Sequence, residues 1–364
     1  MQKHNFGAGP CVLPPSVLEE AAAAVRQLPG TGLSVLEISH RSPGFEEVMI
    51  GTERLVRELL NVPAGYSVLF LQGGASMQFC MVAMNFLQGS GKTAAYLDAG
   101  YFSVKAIKEA QLFGNVHVVA SSKEQQYGHI PKGYDIPGDA AYFHCTSNNT
   151  IEGTEMFSFP ETGVPLICDM SSDIFSRDVD INKFSLIYAG AQKNMGPAGM
   201  TLVIVKDALL DSIGHRLPAM LDYRVYRANN SMYNTPPVFA IYAAMLNLKW
   251  LKEKGGVQAI AQENLAKAQH LYDEIDRNPL FYASASRADR SLMNVTFRMH
   301  DASQDKKFLE FAQNNGMVGI RGYRTVGGFR ASLYNGLPFS SVKALTDCMK
   351  VYAETGHAYL IPAY

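Results

Sequence analysis

Lys193 stands in YAGAQKNMGPAGM, Tyr188 to Met200, a stretch otherwise made of small, flexible and amide residues. It follows FSLIYAG, a short apolar run that reads as a buried strand, and precedes GPAG, where Gly and Pro impose a turn. A lysine on a tight turn at the end of a buried strand is displayed inward. Desolvation there favours the neutral amine, a nucleophile able to condense with a carbonyl; the alternative is an ordinary solvated turn lysine. Asp169 terminates VPLICD, another apolar strand, and so lies at the carboxyl end of the sheet, where open α/β folds place ligands. A carboxylate there needs a partner, whether a ligand, a helix cap or a salt bridge. In LFLQGGASMQF a buried strand ends at Gly73-Gly74 and Ala75-Ser76 opens a helix. Free amides at a helix start, with the Ser76 hydroxyl, suit an anion, although Ser76 also serves as a plain cap in the simpler reading. Anion cradle, carboxylate and buried lysine together are what pyridoxal phosphate (PLP) requires: a seat for its phosphate, a partner that keeps its pyridine nitrogen protonated, and an amine for its aldehyde.

These groups need a scaffold that brings strand ends to one edge, and the chain supplies it. SVLFLQ, TAAYLDAG, VHVVAS, AAYFHCT, VPLICDMS, SLIYAG and TLVIVK are strand-like runs, several of them separated by helical stretches. Continuous apolar strands of this kind indicate a mostly parallel sheet covered on both faces, an α/β architecture. A helical region from Val238 to Lys254 is broken at Gly255-Gly256 and resumes from Val257 to about Arg277. After it FYASA, LMNVTFRM, GMVGIRGY and GFRASLYNG look like strands, with helices near 304–315 and 340–355. The expected division is an N-terminal segment 1–15, a large cofactor-binding domain 16–256 and a small C-terminal α/β domain 257–364.

With 364 residues the chain suits about two domains. Lys+Arg 32 against Asp+Glu 33 leaves a net charge of -1, which points away from nucleic acid. Neither a signal-type N-terminus nor eighteen consecutive apolar residues occur, so a soluble cytoplasmic protein with no membrane partner is expected. Cys11, Cys80, Cys145, Cys168 and Cys348 are scattered without CxxC spacing or nearby histidine pairs, suggesting neither disulfides nor a metal site. Two glycine-rich stretches are set aside. GSGKT (89–93) has Phe86 where a Walker loop needs glycine, and it follows a helix. GAGPCV lacks the third glycine of a dinucleotide fingerprint and has no strand before it.

The blocks NFGAGPCVLP, EISHRS, FLQGGASMQF, AAYLDAGYFSVKAIKEA, NNTIEGT, CDMSSDIFSR, YAGAQKNMGPAGM, MYNTPPVFAIY and VGGFRASLYNGLP occur in this order along nearly the whole chain. By these blocks the sequence resembles the phosphoserine aminotransferase family, in the class V branch of the fold type I PLP-dependent enzymes. The resemblance implies a large domain with a mostly parallel seven-stranded sheet, a small C-terminal domain, and a homodimer with shared active sites. It makes Lys193 the residue that condenses with PLP and Asp169 the partner of the ring nitrogen. It assigns Ala75, Ser76 and Gln192 to the cofactor phosphate, Asn234 and Thr235 to that phosphate from the other subunit, and Thr150 to the oxygen side of the ring. Phe102 takes the place of a tryptophan that usually stacks on the ring, and a phenyl face stacks with less area.

The same resemblance gives Arg330 to the substrate α-carboxylate, and His40, Arg41 and Arg324 to the substrate phosphate or the glutamate side-chain carboxylate. Arginine forks match both anions. Ser76 and Tyr323 replace an arginine and a histidine found in some members. The implied reaction is ping-pong transfer of an amino group from L-glutamate to 3-phosphooxypyruvate in serine biosynthesis, with a 4-phosphooxy-threonine step of pyridoxine biosynthesis as a second use. The rival within the class is transamination of a small oxo acid such as glyoxylate or pyruvate, which would give His40, Arg41 and Arg324 nothing to bind. A cysteine desulfurase would need an exposed nucleophilic cysteine on a small-domain loop, and RTVGGFRASLYNGLP has none. A non-catalytic scaffold that binds a phosphorylated ligand is the third rival.

Overall fold

A computed structural model describes residues 2–324 and 326–355. Seven strands form the main sheet: β1 (Tyr66–Leu71), β2 (Thr93–Asp98), β3 (Asn115–Ser121), β4 (Phe143–Thr146), β5 (Leu166–Asp169), β6 (Leu186–Gly190) and β7 (Thr201–Lys206). Their spatial order is β1-β7-β6-β5-β4-β2-β3, and only β7 runs antiparallel to its neighbours. Because β1, β2, β4, β5 and β6 all point the same way, their carboxyl ends meet at one edge. That edge receives the turns carrying Gly73-Gly74, Gly100, Asn149-Thr150, Ser171 and Lys193, as expected where open α/β sheets bind ligands. The register sets Asp169 between Thr146 of β4 and Tyr188 of β6.

Helices cover both faces, because strands apolar on both sides must be buried twice. On one face α1 (Pro15–Arg26), α2 (Pro43–Leu59) and α5 (Val238–Glu253) enclose a core that includes Val56, Phe70, Cys168 and Leu248. On the other, α3 (Gly74–Phe86) and α4 (Tyr101–Ala110) pack with Phe79, Tyr96, Ile107 and Tyr188. The apolar run of β3 is not covered as its composition suggests. It is the edge strand, and Val118 is 40% exposed, since an edge position leaves one side without a neighbouring strand.

A second core gathers α6 (Gly256–Arg277), α7 (Asp305–Asn314), α8 (Phe339–Thr355) and an antiparallel three-stranded sheet of β8 (Phe281–Ala283), β9 (Asn294–Met299) and β10 (Phe329–Ser332). The helix α6 serves both cores: Val257 and Ile260 lie in the first, Ala268, Leu271 and Ile275 in the second. The N-terminus joins the second core as well, through buried Phe6 and through His4-Asn5, which pair in parallel with Met317-Val318. GAGPCV is therefore preceded by a two-residue strand after all, but one remote from the main sheet. Residues 356–364, the end of the expected small domain, lie outside the described residues. Among the described residues no helix is long and apolar enough to cross a membrane.

Candidate active site

Lys193 sits on the turn after β6, as the apolar run and the following Gly-Pro predict. Its Nζ donates to Thr150 Oγ1 at 2.8 Å and lies 5.5 Å from the centroid of the Phe102 ring. Burial lowers its pKa to about 8; Asp169 opposes that shift and Arg330 adds to it. A lysine whose charged form is disfavoured by desolvation is unusual for a surface turn and characteristic of a reactive amine.

Asp169 ends β5 and is 4% exposed. Its Oδ1 accepts two bonds from Ser171, from the backbone N at 2.9 Å and from Oγ at 2.6 Å, while Oδ2 has no hydrogen-bond partner among the described residues. Burial raises its pKa, and the Ser171 bonds and Lys193 counteract this. The Ser171 contact is a local Asx turn written in DMS, a signal available in the sequence but not used.

Gly73 (φ 89°) and Gly74 (φ 64°) turn the chain from β1 into α3. Both take left-handed backbone, which an L side chain rarely adopts, and a Cβ on Gly73 would meet Met77 Cβ at 2.5 Å. The turn aims the first amides of α3, those of Gly74, Ala75 and Ser76, out of the helix without intrahelical acceptors, and Ser76 is exposed. Gln192 precedes the lysine and is half-buried; its carbonyl accepts from Cys11 N at 3.1 Å.

Arg330 comes from β10 of the second core. Its Nη1 donates to Thr150 O at 3.1 Å, its buried Nε has no partner, and burial lowers its pKa. Among the described residues no carboxylate forms an ion pair with it. An interior guanidinium with spare donors and no counter-ion is a seat for an anion. It opens into a cleft of about 690 Å³ lined in part by Tyr101, Glu152, Arg298 and Tyr323. Thr150 thus links the two halves of the site: its side chain holds Lys193 and its carbonyl holds Arg330.

Lys193, Asp169, Thr150, Phe102 and Arg330 are brought together in one chain. His40, Arg41, Asn234, Thr235 and Arg324 form no hydrogen bond or ion pair with them among the described residues. His40 and Arg41 lie on the turn before α2, where buried His40 Nε2 has no partner and Arg41 is exposed. Thr235 O accepts from Gln72 Nε2 at 3.0 Å, and Asn234 is half-buried beside it. Arg324 is exposed on the loop before β10.

Three contributors escaped the sequence reading. The Cys11 thiol donates to the Lys193 carbonyl, which ties the N-terminal segment to the lysine turn. Glu152 Oε1 accepts from Tyr101 N at 2.8 Å and so holds the start of α4, next to Phe102. Tyr334 OH donates to Ala8 O at 3.1 Å. None has a signal in local sequence, because each partner lies far away in the chain. Burial pushes the Cys11 thiol up to about 12, and Cys348 is buried in α8, so neither offers the thiolate that a desulfurase requires.

The description aminotransferase class-V belongs to the family model that matches residues 4–345. The phosphoserine aminotransferase of Flavobacterium psychrophilum is 56% identical over 351 residues, spanning 96% of this chain and 98% of that protein. The solved phosphoserine aminotransferase of Bacillus circulans subsp. alkalophilus superposes with a TM-score of 0.95 at 46% identity, covering 98% of this chain and 99% of that one. The PLP-bound phosphoserine aminotransferase of Trichomonas vaginalis superposes with a TM-score of 0.92 at 39% identity, covering 96% and 100%.

Proposed function

This chain belongs to the aminotransferase class-V family, and from that premise we propose that it transfers an amino group from L-glutamate to 3-phosphooxypyruvate, giving 2-oxoglutarate and O-phospho-L-serine. The fold is that of the fold type I PLP-dependent enzymes and the cofactor is pyridoxal phosphate. One observation carries the reading most directly: the pKa-lowered amine of Lys193 lies within electrostatic reach of buried Asp169 and of Arg330, and Thr150 bonds both to that amine and to the Arg330 guanidinium.

The donor set fits the cofactor. Asp169 keeps Oδ2 free for a ring nitrogen, the open amides of α3 with Ser76 and Gln192 suit its phosphate, and Phe102 offers a ring face close to Lys193. When bound, PLP supplies an aldehyde carbon on which amino groups are exchanged and a cationic ring that takes up the electron pair released at the substrate Cα. Asp169, fixed by Ser171, would hold the proton on the ring nitrogen. Lys193 Nζ, with its pKa lowered to about 8, would take the proton from the substrate Cα and return it to the carbon across the amino nitrogen, acting as base and then acid. Thr150 limits where that amine can point. The Arg330 fork orients the α-carboxylate, a group that both substrates share.

Specificity for the phosphorylated acceptor then falls to Arg324 and Arg41, cations suited to a second anion, with His40, whose buried Nε2 has no partner, beside Arg41. Among the described residues Asn234, Thr235 and the His40-Arg41 turn form no bond to Lys193, Asp169, Thr150, Phe102 or Arg330, which is compatible with donation to a neighbour's site. Leu33, Leu36 and Ile50 are 52%, 62% and 61% exposed, an apolar surface on and beside α2 that a second copy would cover. We therefore read the protein as a cytoplasmic homodimer with shared active sites, acting in serine biosynthesis. Initial rates with both substrates varied test the functional reading: parallel double-reciprocal lines are expected for two half-reactions through one site, and intersecting lines contradict it.

A further inference from the structure

Lys267, in the middle of α6, is 1% exposed and forms no ion pair among the described residues. Its ammonium instead donates to three backbone carbonyls of one loop: Leu333 O at 2.9 Å, Tyr334 O at 3.0 Å and Leu337 O at 3.2 Å. An apolar side chain of similar length would fill the same space without the cost of desolvating a cation. What lysine adds is the gathering of these carbonyls, and the loop they belong to continues directly from β10, the strand of Arg330.

The loop is also tied to the turn of Lys193. Asn335 N donates to Asn194 Oδ1 at 2.9 Å, and Asn194 is the residue next to the reactive lysine. Asn194 is anchored in turn through Nδ2 to Ser172 O at 3.2 Å and through its own carbonyl to Asn247 Nδ2 at 3.0 Å. One turn before Lys267 on α6, Asn264 Nδ2 donates to Asn335 Oδ1 at 2.9 Å and to Ser176 O at 3.2 Å. Asn335 Nδ2 closes the set on Phe175 O at 3.0 Å. All of these side chains are buried, where each bond is difficult to replace by water.

We propose that Lys267 is a positioning residue for aminotransfer: by holding the 333–337 loop against α6 and, through Asn335, against Asn194, it fixes the offset between Arg330 and Lys193. The inference rests on the reading of Arg330 as the seat of the substrate carboxylate. The two groups that must act on one substrate are carried by different cores, and Thr150 joins them by a single bond to each. The Lys267 loop is a further connection, beside those from Asn148 Nδ2 to Asn294 Oδ1 at 2.7 Å and from Thr296 Oγ1 to Glu152 O at 2.9 Å. It reaches both through residues other than those assigned to substrate or cofactor, so its loss should disturb the binding of carboxylates more than the seating of the cofactor.

Lys267→Met keeps the volume and removes the donors. In the cofactor-free protein the Asn335 amide should exchange with solvent about tenfold faster or more, because local opening governs exchange at a buried donor. In the loaded protein, KM for glutamate and for 3-phosphooxypyruvate should each rise about tenfold, since small misplacements of a binding group are costly, while affinity for PLP stays within about twofold of the parent. A role confined to stability would lower the melting temperature and leave both KM values and the Asn335 exchange unchanged, which overturns the proposal. Faster exchange with unchanged KM values overturns it equally. If Lys267→Met does not fold, Asn264→Ala, which cuts the same helix from Asn335, must give the same KM pattern or the proposal fails. A parent protein inactive with both substrates refutes the functional reading, whereas the Asn335 exchange still decides the Lys267 linkage.

Discussion

Replacing Arg330 by methionine removes a half-buried guanidinium whose Nε is buried without a partner and which forms no ion pair among the described residues. In the substrate-free protein it gives up little, a single bond to Thr150 O. With substrate it gives up two parallel charge-assisted bonds in a shielded space, worth about 3–5 kcal/mol together, or roughly 10²–10⁴ in kcat/KM. Both glutamate and 3-phosphooxypyruvate present an α-carboxylate to it, so both half-reactions should fall by the same factor within about threefold. Arg330→Lys keeps the charge but loses the fork and should recover about half of the lost free energy. Arg330 also lowers the pKa of Lys193, so its removal makes the amine more basic and adds a pH-dependent loss near neutrality. Measuring at a pH above the variant's own amine titration isolates the binding effect. The assay is single-turnover: glutamate mixed with the protein in its PLP form, 3-phosphooxypyruvate with the aminated form, each followed by cofactor absorbance. A loss below tenfold in either half-reaction, or a loss confined to one, would refute the assignment.

Asp169→Asn should give a coloured protein that binds PLP yet has lost at least about 10²-fold in kcat, because a neutral amide cannot hold the ring nitrogen's proton; activity within a few fold of the parent removes Asp169 from that role. Arg324→Ala should raise KM for 3-phosphooxypyruvate by about one to three orders of magnitude and disturb the unphosphorylated acceptor less, and equal losses place Arg324 away from the phosphate. In the cofactor-free protein Lys193 titrates at about 8, below its ordinary 10.5, so the unfolded chain binds more protons between these values. Stability relative to Lys193→Met should therefore be flat below pH 8 and rise from pH 8 to 10.5, and a flat difference throughout, measured by denaturant titration, contradicts the burial of this amine.

The ends of β5 and β6 were legible because their apolar runs are short, continuous and stopped by turn-forming residues, which places Asp169 and Lys193 without knowledge of any partner. The left-handed turn at Gly73-Gly74 was legible for the same reason. VHVVAS misled, since composition reports apolarity but not whether a neighbouring strand follows, and β3 turned out to be an edge. Lys267 shows the deeper limit. Within NLAKAQHL a lysine at helical spacing reads as a solvated face, and its burial follows from where the loop after β10 passes, a contact 66 residues away for Leu333. The same holds for Asn335 on Asn194 and Cys11 on Lys193, whose partners are set by the meeting of two cores and not by local pattern.

The central claim is tested most directly by one comparison: glutamate as amino donor, with 3-phosphooxypyruvate or its unphosphorylated analogue as acceptor, at equal concentrations and a fixed pH near 8. The loss of a dianion held by charge-assisted bonds predicts kcat/KM at least about 10²-fold higher for the phosphorylated acceptor. Equal rates, or a preference for the unphosphorylated acid, would contradict the account and return the protein to the small-oxo-acid branch of its family.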